Sequence, residues 1–320
     1  YTYRLPDYRG AVGVEFGYDD ALRGRAGAKS VLVNNFGYRF EDAVWMPAEP
    51  GRDVTLTIDL QLQQAAEAAL RKVSSTPRGA IVVMDVRTGD LLAMASSPTF
   101  DPNQFITGFS NEAYALLQDE SLKPLINRAT QENYAPGSIF KTLVGLACLE
   151  AGLDPHQTIM VQPNPRRPHR GIVYVGRRAI EDTAPPGAYD FRRALKLSSN
   201  TYFITNGLNA GIERIVALGQ QFHLGETTGL PTRQETAGIF PTPERIRRGW
   251  SQGDTANLCI GQGPIAVTPL QMTVMTAAIA NGGRVLWPRL VKSIAPPATA
   301  DGEHMEAPAP GRIRSQLRIA

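Results

Sequence analysis

The sequence predicts an α/β protein, an antiparallel β-sheet flanked by helices. Three observations lead there. First, two apolar runs, GAIVVM at 79–84 and LLAMA at 91–95, are separated by the turn-forming residues 85–90 and read as a β-hairpin. Both runs are apolar on both faces, so the hairpin is expected at the centre of a sheet covered on each side. Second, residues 138–151 (SIFKTLVGLACLEA) follow Pro136-Gly137, end at Gly152 and are apolar nearly all round, as a helix buried between layers would be. Third, 42% hydrophobic and 20% charged residues over 320 positions is globular composition, which argues against wholesale disorder.

The other elements follow in chain order. Residues 1–50 are rich in Gly, Arg and aromatic residues, with strand-like pieces at 30–34 and 37–40. They lack the periodicity of an independent core and read as the tail of a larger unit. Residues 54–58 (VTLTI) alternate like a strand. Asp59 can cap a helix over 60–73, with Leu62, Ala66, Ala69, Leu70 and Val73 on one stripe. After the hairpin, 97–103 is turn-rich and 111–118 helical. Residues 154–190 are dense in proline and arginine with little periodicity and read as an elaborated loop region. A short helix over 191–197 precedes Ser198-Ser199-Asn200, and a further helix begins near Thr201. Thr268 caps and Pro269 starts a helix that runs to Ala280 and stops at Asn281-Gly282-Gly283. The Pro/Ala-rich stretch 296–310 reads as an exposed loop.

Charge and cysteine content narrow the function classes. A net charge of +3, from 27 Arg and 6 Lys against 30 acidic residues, is no electrostatic footprint for nucleic acid. The longest uncharged run, 255–283, is broken by Gln262, Pro264, Pro269, Gln271 and Asn281 and does not read as lipid-facing. The chain is therefore soluble, or its anchor lies upstream of residue 1. Cys148 and Cys259 make no disulfide framework, and Cys148 reads as a small buried apolar side chain. His156, His169, His223 and His304 have no ligand spacing, so no metal and no cofactor is expected.

The sharpest chemical feature is Ser138-Ile139-Phe140-Lys141. Residues three apart share one helix face. Burial among Ile139, Phe140, Leu143 and Val144 would disfavour the ammonium and depress the lysine pKa. A neutral amine beside a hydroxyl can activate it as a nucleophile. Ser138 also stands at a helix N-terminus, which favours a developing negative charge. With 13 Ser and 6 Lys, about a quarter of one such pair is expected by chance. A capping serine and a surface lysine are the plain alternative. Ser198-Ser199-Asn200 adds a hydroxyl that can relay a proton and an amide that can bind a carbonyl. Alone, that triplet is more simply a turn.

In combination and in this order, Ser-x-x-Lys followed by Ser-x-Asn resembles the signature of penicillin-binding proteins and serine β-lactamases. The wider text is similar to the class B, elongation-type branch. Gly13-Val14-Glu15, Tyr18-Asp19 and Leu22-Arg23-Gly24 resemble the end of its N-terminal pedestal module. Leu56-Thr57-Ile58-Asp59, the stretch 79–103, Asn127-Arg128-Ala129, Tyr134-Ala135-Pro136-Gly137-Ser138, Ile260-Gly261-Gln262-Gly263 and Thr268-Pro269-Leu270-Gln271 resemble successive blocks of its transpeptidase domain. The resemblance implies a pedestal tail and linker over 1–74 and a penicillin-binding transpeptidase fold over 75–320. It implies a peptidoglycan D,D-transpeptidase of cell-wall elongation that is also a β-lactam target. Ser138 would be the acylated nucleophile, Lys141 the general base and Ser198 the proton shuttle toward the leaving amine. Asn200 would bind the acylated peptide and help place Lys141.

The implied partners are D-Ala-D-Ala stem peptides, an acceptor amine, a SEDS-family glycan polymerase and other elongation proteins, with no nucleic acid. The implied location is the inner membrane, with the catalytic domain in the periplasm. Some members carry a metal site of Asp, His and Cys near the second motif, but 184–200 holds no His and no Cys. A third motif, Lys-Thr-Gly, has no counterpart after Asn281-Gly282-Gly283, and Arg87-Thr88-Gly89 precedes the nucleophile. Its strand supplies an oxyanion donor whose loss costs about 10²–10³ in rate. The expectation is a fragment with its anchor before Tyr1 and a fold cut before the third motif, impaired in catalysis. A non-catalytic scaffold of the cell-wall machinery is the alternative. A β-lactam hydrolase or sensor fits less well, since such proteins lack the pedestal-like residues 1–50. Arg166-Arg167 and Arg177-Arg178 read as solvated loop charges, Gln262 as structural support, and Glu181 and Asp182 as having no evident role.

Overall fold

The computed structural model describes residues 8–73, 77–296 and 305–317. His304 and most of the 296–310 stretch lie outside the described residues. In chain order, α1 (Gly13–Gly17) and α2 (Asp19–Leu22) precede a hairpin of β1 (Ala28–Val33) and β2 (Arg39–Met46). β3 (Val54–Leu56) leads into α3 (Leu60–Val73), then the hairpin of β4 (Gly79–Met84) and β5 (Leu91–Ser97). Next come α4 (Gln104–Thr107), α5 (Asn111–Leu117), a 3₁₀ turn (Gly137–Phe140) and α6 (Lys141–Glu150). β6 (Ile159–Asn164), β7 (Arg167–Val175), β8 (Arg178–Asp182) and β9 (Gly187–Tyr189) follow. The helices α7 (Phe191–Leu197), α8 (Asn200–Ala210), α9 (Ile212–Gln221), α10 (Pro243–Arg248), α11 (Gln252–Cys259) and α12 (Pro269–Ala280) come next. β10 (Arg284–Leu286), β11 (Val291–Ile294) and β12 (Ile313–Gln316) complete the described chain.

Every ladder between named strands is antiparallel. The β4–β5 hairpin forms where the sequence places it, with Ile81 opposite Ala95 and Val83 opposite Ala93. Those four residues pack with Ala66 and Leu70 of α3, while Val82, Met84 and Met94 face the larger core. Helices thus cover both faces, as a doubly apolar hairpin requires. The hairpin is not central among the described strands, however. β4 pairs only with β5, and an apolar groove of about 760 Å³ runs along it, bounded by Met272, Thr276 and Ala280 of α12. The α3 stripe is also narrower than its periodicity suggests. Asp59 caps the helix by accepting from the Leu62 amide at 3.0 Å, and Ala66 and Leu70 are buried, but Leu62, Ala69 and Val73 are exposed. Ala66 and Leu70 dock it on Ala93 and Ala95 of β5, and the Gln63 carboxamide bonds both backbone groups of Met94.

The largest correction concerns 154–190. This stretch is a four-stranded sheet, ordered β8-β7-β6-β9. Its alternation is hidden by a register shift at Pro163/Asn164 and by exposed residues on its strands, among them Arg167, His169, Tyr174 and Arg178. Arg167 ion-pairs with Glu181 at 3.3 Å across the strands, so this arginine is not a loop charge.

The core lies where α6, α8, α9, α11 and α12 meet. Leu143, Val144, Phe203, Ile204, Ile215, Leu258, Leu270 and Met275 are all buried there. Gly207 lets α8 and α11 approach closely, since a Cβ at that position would lie 2.3 Å from the Cys259 sulfur. Cys148 and Cys259 are buried free thiols, and burial pushes the Cys148 thiol up to about 12. Among the described residues no helix is long and apolar enough to cross a membrane.

Candidate active site

The sequence places Ser138 in an α-helix; the structure places it one turn earlier, on the 3₁₀ turn Gly137–Phe140 that opens α6. In a 3₁₀ turn residues i and i+3 eclipse each other, so Ser138 and Lys141 are stacked directly. The turn is strapped from behind. Tyr134 and Val267 exchange two backbone hydrogen bonds of 2.9 Å, and the Gly137 amide donates to the Gly261 carbonyl at 2.9 Å. Gly261 has φ +66°, and a Cβ there would lie 2.1 Å from the Gly137 oxygen. The Ile-Gly-Gln-Gly block thus supports the serine turn through Gly261; the Gln262 side chain is exposed.

Ser138 and Ile139 are exposed, whereas Lys141 is 1% exposed beneath them. Ile139 at 56% exposure does not help bury the lysine, contrary to the sequence reading; its chain neighbours Phe140, Leu143 and Val144 are fully buried, and the Phe203 ring lies 5.9 Å from Nζ. Loss of solvent lowers the Lys141 pKa to about 8, with the nearby Asp182 charge pulling the other way.

Sixty residues on, the α7–α8 junction arrives over this lysine. Asp190 caps α7 by accepting from the Arg193 amide at 2.7 Å. α7 ends at Ser198, which adopts the left-handed conformation with φ 55° and ψ 43°. A non-glycine residue there costs about 1 kcal/mol and must be held from outside. Ser199 starts α8, its hydroxyl accepting from the Tyr202 amide at 3.2 Å. The kink turns the Ser198 carbonyl, the Ser198 hydroxyl and the Asn200 carboxamide toward one point.

That point is the Lys141 Nζ. It donates to the Ser198 carbonyl at 2.7 Å, to the Ser198 Oγ at 3.1 Å and to the Asn200 Oδ1 at 2.7 Å. The Ser198 Oγ in turn donates to the Ser138 Oγ at 2.9 Å. Asn200 is oriented by its own Nδ2, which donates to the Glu181 carbonyl at 3.0 Å. All four sequence-predicted residues therefore form one connected hydrogen-bond chain.

Three acceptors saturate the three protons of an ammonium. When Lys141 loses one proton, two N–H groups can keep the two shortest contacts and leave the lone pair facing the Ser198 Oγ. The Ser198 hydroxyl then donates to Nζ and accepts from Ser138. A proton can pass from Ser138 through Ser198 to Lys141 along two short hydrogen bonds. Ser138, stripped of its proton, faces open solvent at the N-terminal end of a helix.

Sequence reasoning missed Asp182. It is fully buried and accepts from the Asn200 and Thr201 amides at 2.7 Å, the Ser199 hydroxyl at 2.6 Å and the Ala184 amide at 3.0 Å. No local pattern marks it, because its partners lie up to 19 residues away. His156 and His169 are exposed, and His223 bonds Glu226 and Ser315. Among the described residues no group of three or more His, Cys, Asp or Glu is arranged to hold a metal ion.

Comparison with known proteins places this geometry. Residues 79–314 match the penicillin-binding protein transpeptidase domain, and residues 1–56 match the penicillin-binding protein dimerisation domain. The chain is 36% identical over 295 residues to the peptidoglycan D,D-transpeptidase MrdA of Haemophilus influenzae, covering 89% of this chain and 43% of that protein. It is 35% identical over 296 residues to the MrdA of Escherichia coli K12, covering 89% and 45%. The chain thus spans about half the length of the curated relatives it matches. Among solved structures, a peptidoglycan synthase complex that coordinates polymerization and crosslinking superposes with TM-score 0.79 at 34% identity, covering 98% of this chain and 54% of that one. The Helicobacter pylori complex of penicillin-binding protein PBP2 with MreC gives TM-score 0.75 at 30% identity, covering 91% and 55%. The penicillin G acyl-enzyme of Mycobacterium tuberculosis penicillin-binding protein A gives 0.68 at 28% identity, covering 83% and 60%.

Proposed function

Since the chain belongs to the penicillin-binding protein transpeptidase family, we propose that it is the part of a peptidoglycan D,D-transpeptidase that carries the acylated serine. The observation behind this reading is the unbroken chain from the Ser138 Oγ through the Ser198 Oγ to a desolvated Lys141. Ser138 attacks the carbonyl carbon between the two D-Ala residues of a stem peptide. Its proton goes to neutral Lys141 through Ser198. The C–N bond then breaks, the same proton returns through Ser198 to the departing D-Ala nitrogen, and an ester on Ser138 remains. An acceptor amine attacks the ester carbon, the C–O bond to Ser138 breaks as the cross-link forms, and the amine's proton passes along the same path to the Ser138 oxygen. Asn200 holds Lys141 and presents its carboxamide to the acyl peptide. A β-lactam follows the first half of this sequence and stops at the ester, as the mycobacterial acyl-enzyme supports by similarity.

The likeness to a peptidoglycan synthase complex and to an MreC complex supports a place in the elongation machinery, beside a SEDS-family polymerase, in an enzyme anchored in the inner membrane and working in the periplasm. We divide the chain on this reading into a pedestal tail over 1–74 and a transpeptidase domain over 75–320. The scaffold alternative makes the opposite prediction about covalent chemistry. The test is labelling with a fluorescent penicillin, read by intact mass and peptide mapping. The expected result is one adduct on Ser138, absent in Ser138→Ala. An adduct that persists in Ser138→Ala overturns the assignment of the nucleophile, and no adduct in the wild-type protein favours the scaffold.

A further inference from the structure

Asp182 is a buried carboxylate to which the reading above gives no part. Resting on that reading, we propose that Asp182 is a positioning residue for acylation, fixing the Ser198–Asn200 kink over Lys141 and placing a buried carboxylate behind it. It stands at the end of β8, while Ser198 directly follows α7 and Asn200 opens α8. One carboxylate therefore ties the four-stranded sheet to the helix junction.

The geometry is specific. Oδ1 accepts from the Ala184 and Asn200 amides, and Oδ2 from the Thr201 amide and the Ser199 hydroxyl. Three of the four donors are successive residues directly after Ser198. With the Ser199 amide bonded to the Ala194 carbonyl at 2.9 Å, the chain is clamped on the C-terminal side of the left-handed residue. That clamp steadies the backbone carrying the Ser198 carbonyl, which accepts from the Lys141 Nζ at 2.7 Å and from the Thr183 hydroxyl at 3.3 Å. All four contacts are donors to Asp182, the pattern that an ionised carboxylate accepts. The carboxylate also sits at the N-terminus of α8, where the helix dipole favours negative charge.

The charged and titratable surroundings are few. Glu181, next in the strand, is turned away to Asn164 of β6 and to Arg167 and Arg170 of β7. Tyr189 of β9 lies within the field of Asp182, but its hydroxyl donates to the Pro185 carbonyl, and Arg193 of α7 stacks on its ring. Lys141 of α6 is the cation that feels Asp182, without a direct ion pair between them. A carboxylate at that remove stabilises the ammonium against its desolvation without occupying its donors. It thereby favours the protonated lysine, against the larger and opposite effect of burial.

The test compares Asp182→Asn and Asp182→Glu with the wild type by two readouts. One is the titration of Lys141 followed by NMR on lysine-labelled protein, which six lysines keep tractable. The other is the second-order rate of acylation by penicillin from pH 6 to 10. The expected result for Asp182→Asn is a Lys141 midpoint lowered by about half a unit or more and an acylation rate at its plateau reduced about tenfold or more. Asp182→Glu, which keeps the charge, is expected to recover most of the midpoint shift. An unmoved Lys141 midpoint in Asp182→Asn, or a plateau rate within about twofold of wild type, overturns the proposal. If Asp182→Asn does not fold, Ser199→Ala removes one donor and leaves the charge. Slower acylation at an unchanged midpoint then supports the clamp, and an unchanged rate overturns it. A wild-type protein that never acylates overturns the functional reading instead. The lysine titration still decides whether Asp182 governs Lys141.

Discussion

The α6–α8 heart of the molecule and the β1–β2 hairpin are both rich in apolar residues, yet the chain uses them oppositely. Next to Lys141 in the chain, Phe140, Leu143 and Val144 are buried completely. In the hairpin all six residues of β1 are exposed, and Phe36, Phe40 and Trp45 are each more than three-quarters exposed. Apolar content alone does not make a core. α6 is enclosed because α7, α8 and α9 all pack against it, whereas among the described elements each hairpin strand packs chiefly on its partner. The enclosure also has a chemical effect that the hairpin cannot have. It removes water from one lysine and so moves its pKa into the range where it can exchange protons.

Five substitutions and a pH series test this contrast. The largest effect is expected at the lysine itself. Lys141→Ala should slow acylation by penicillin by about 10²–10⁴-fold while the protein stays folded, measured by stopped-flow labelling. Retained rate would show that burial of Lys141 has no chemical purpose. Next is packing. Phe140→Ala should cost about 3–5 kcal/mol in denaturant unfolding. Gly261→Ala should follow at about 1–3 kcal/mol, because the left-handed backbone and the close Gly137 oxygen both oppose a side chain. Its acylation rate should fall as the serine turn shifts.

The pH dependence is smaller and has a definite sign. Lys141 has a folded pKa near 8, below the 10.5 of an unperturbed lysine. Between those values the unfolded chain binds more protons than the folded one, so the lysine's contribution to stability rises with pH. Below about 8 it is constant and unfavourable. Unfolding measured at pH 7, 8.5 and 10 should show that rise, and Lys141→Met should abolish it. Acylation should likewise rise with pH through about 8. The smallest effect is expected in the hairpin, where Phe40→Ala should change stability by less than about 0.5 kcal/mol. A loss as large as at Phe140 would mean that this surface is covered in the folded protein.

Much of the fold could be read from local pattern. The β4–β5 hairpin, α7, and α12 with its Thr268–Gln271 capping box lie where turn and capping residues place them. The sheet over 154–190 could not be read, because a register shift and exposed residues along its strands erase its alternation. The α3 stripe was overread, since periodicity marks which residues can be buried and not how much surface arrives to bury them.

The candidate site divides the same way. Ser138 and Lys141 are three residues apart, so backbone geometry alone stacks them, and the sequence by itself determined that pair. Ser198 and Asn200 are 57 and 59 residues from the lysine they surround. Asp182 and Gly261 act through contacts with no local signature. Tertiary structure alone decided these, because a hydrogen bond between distant residues leaves no period in the chain. The depression of the lysine pKa belongs there too: it arises from water excluded by several helices at once, and no single segment carries that information.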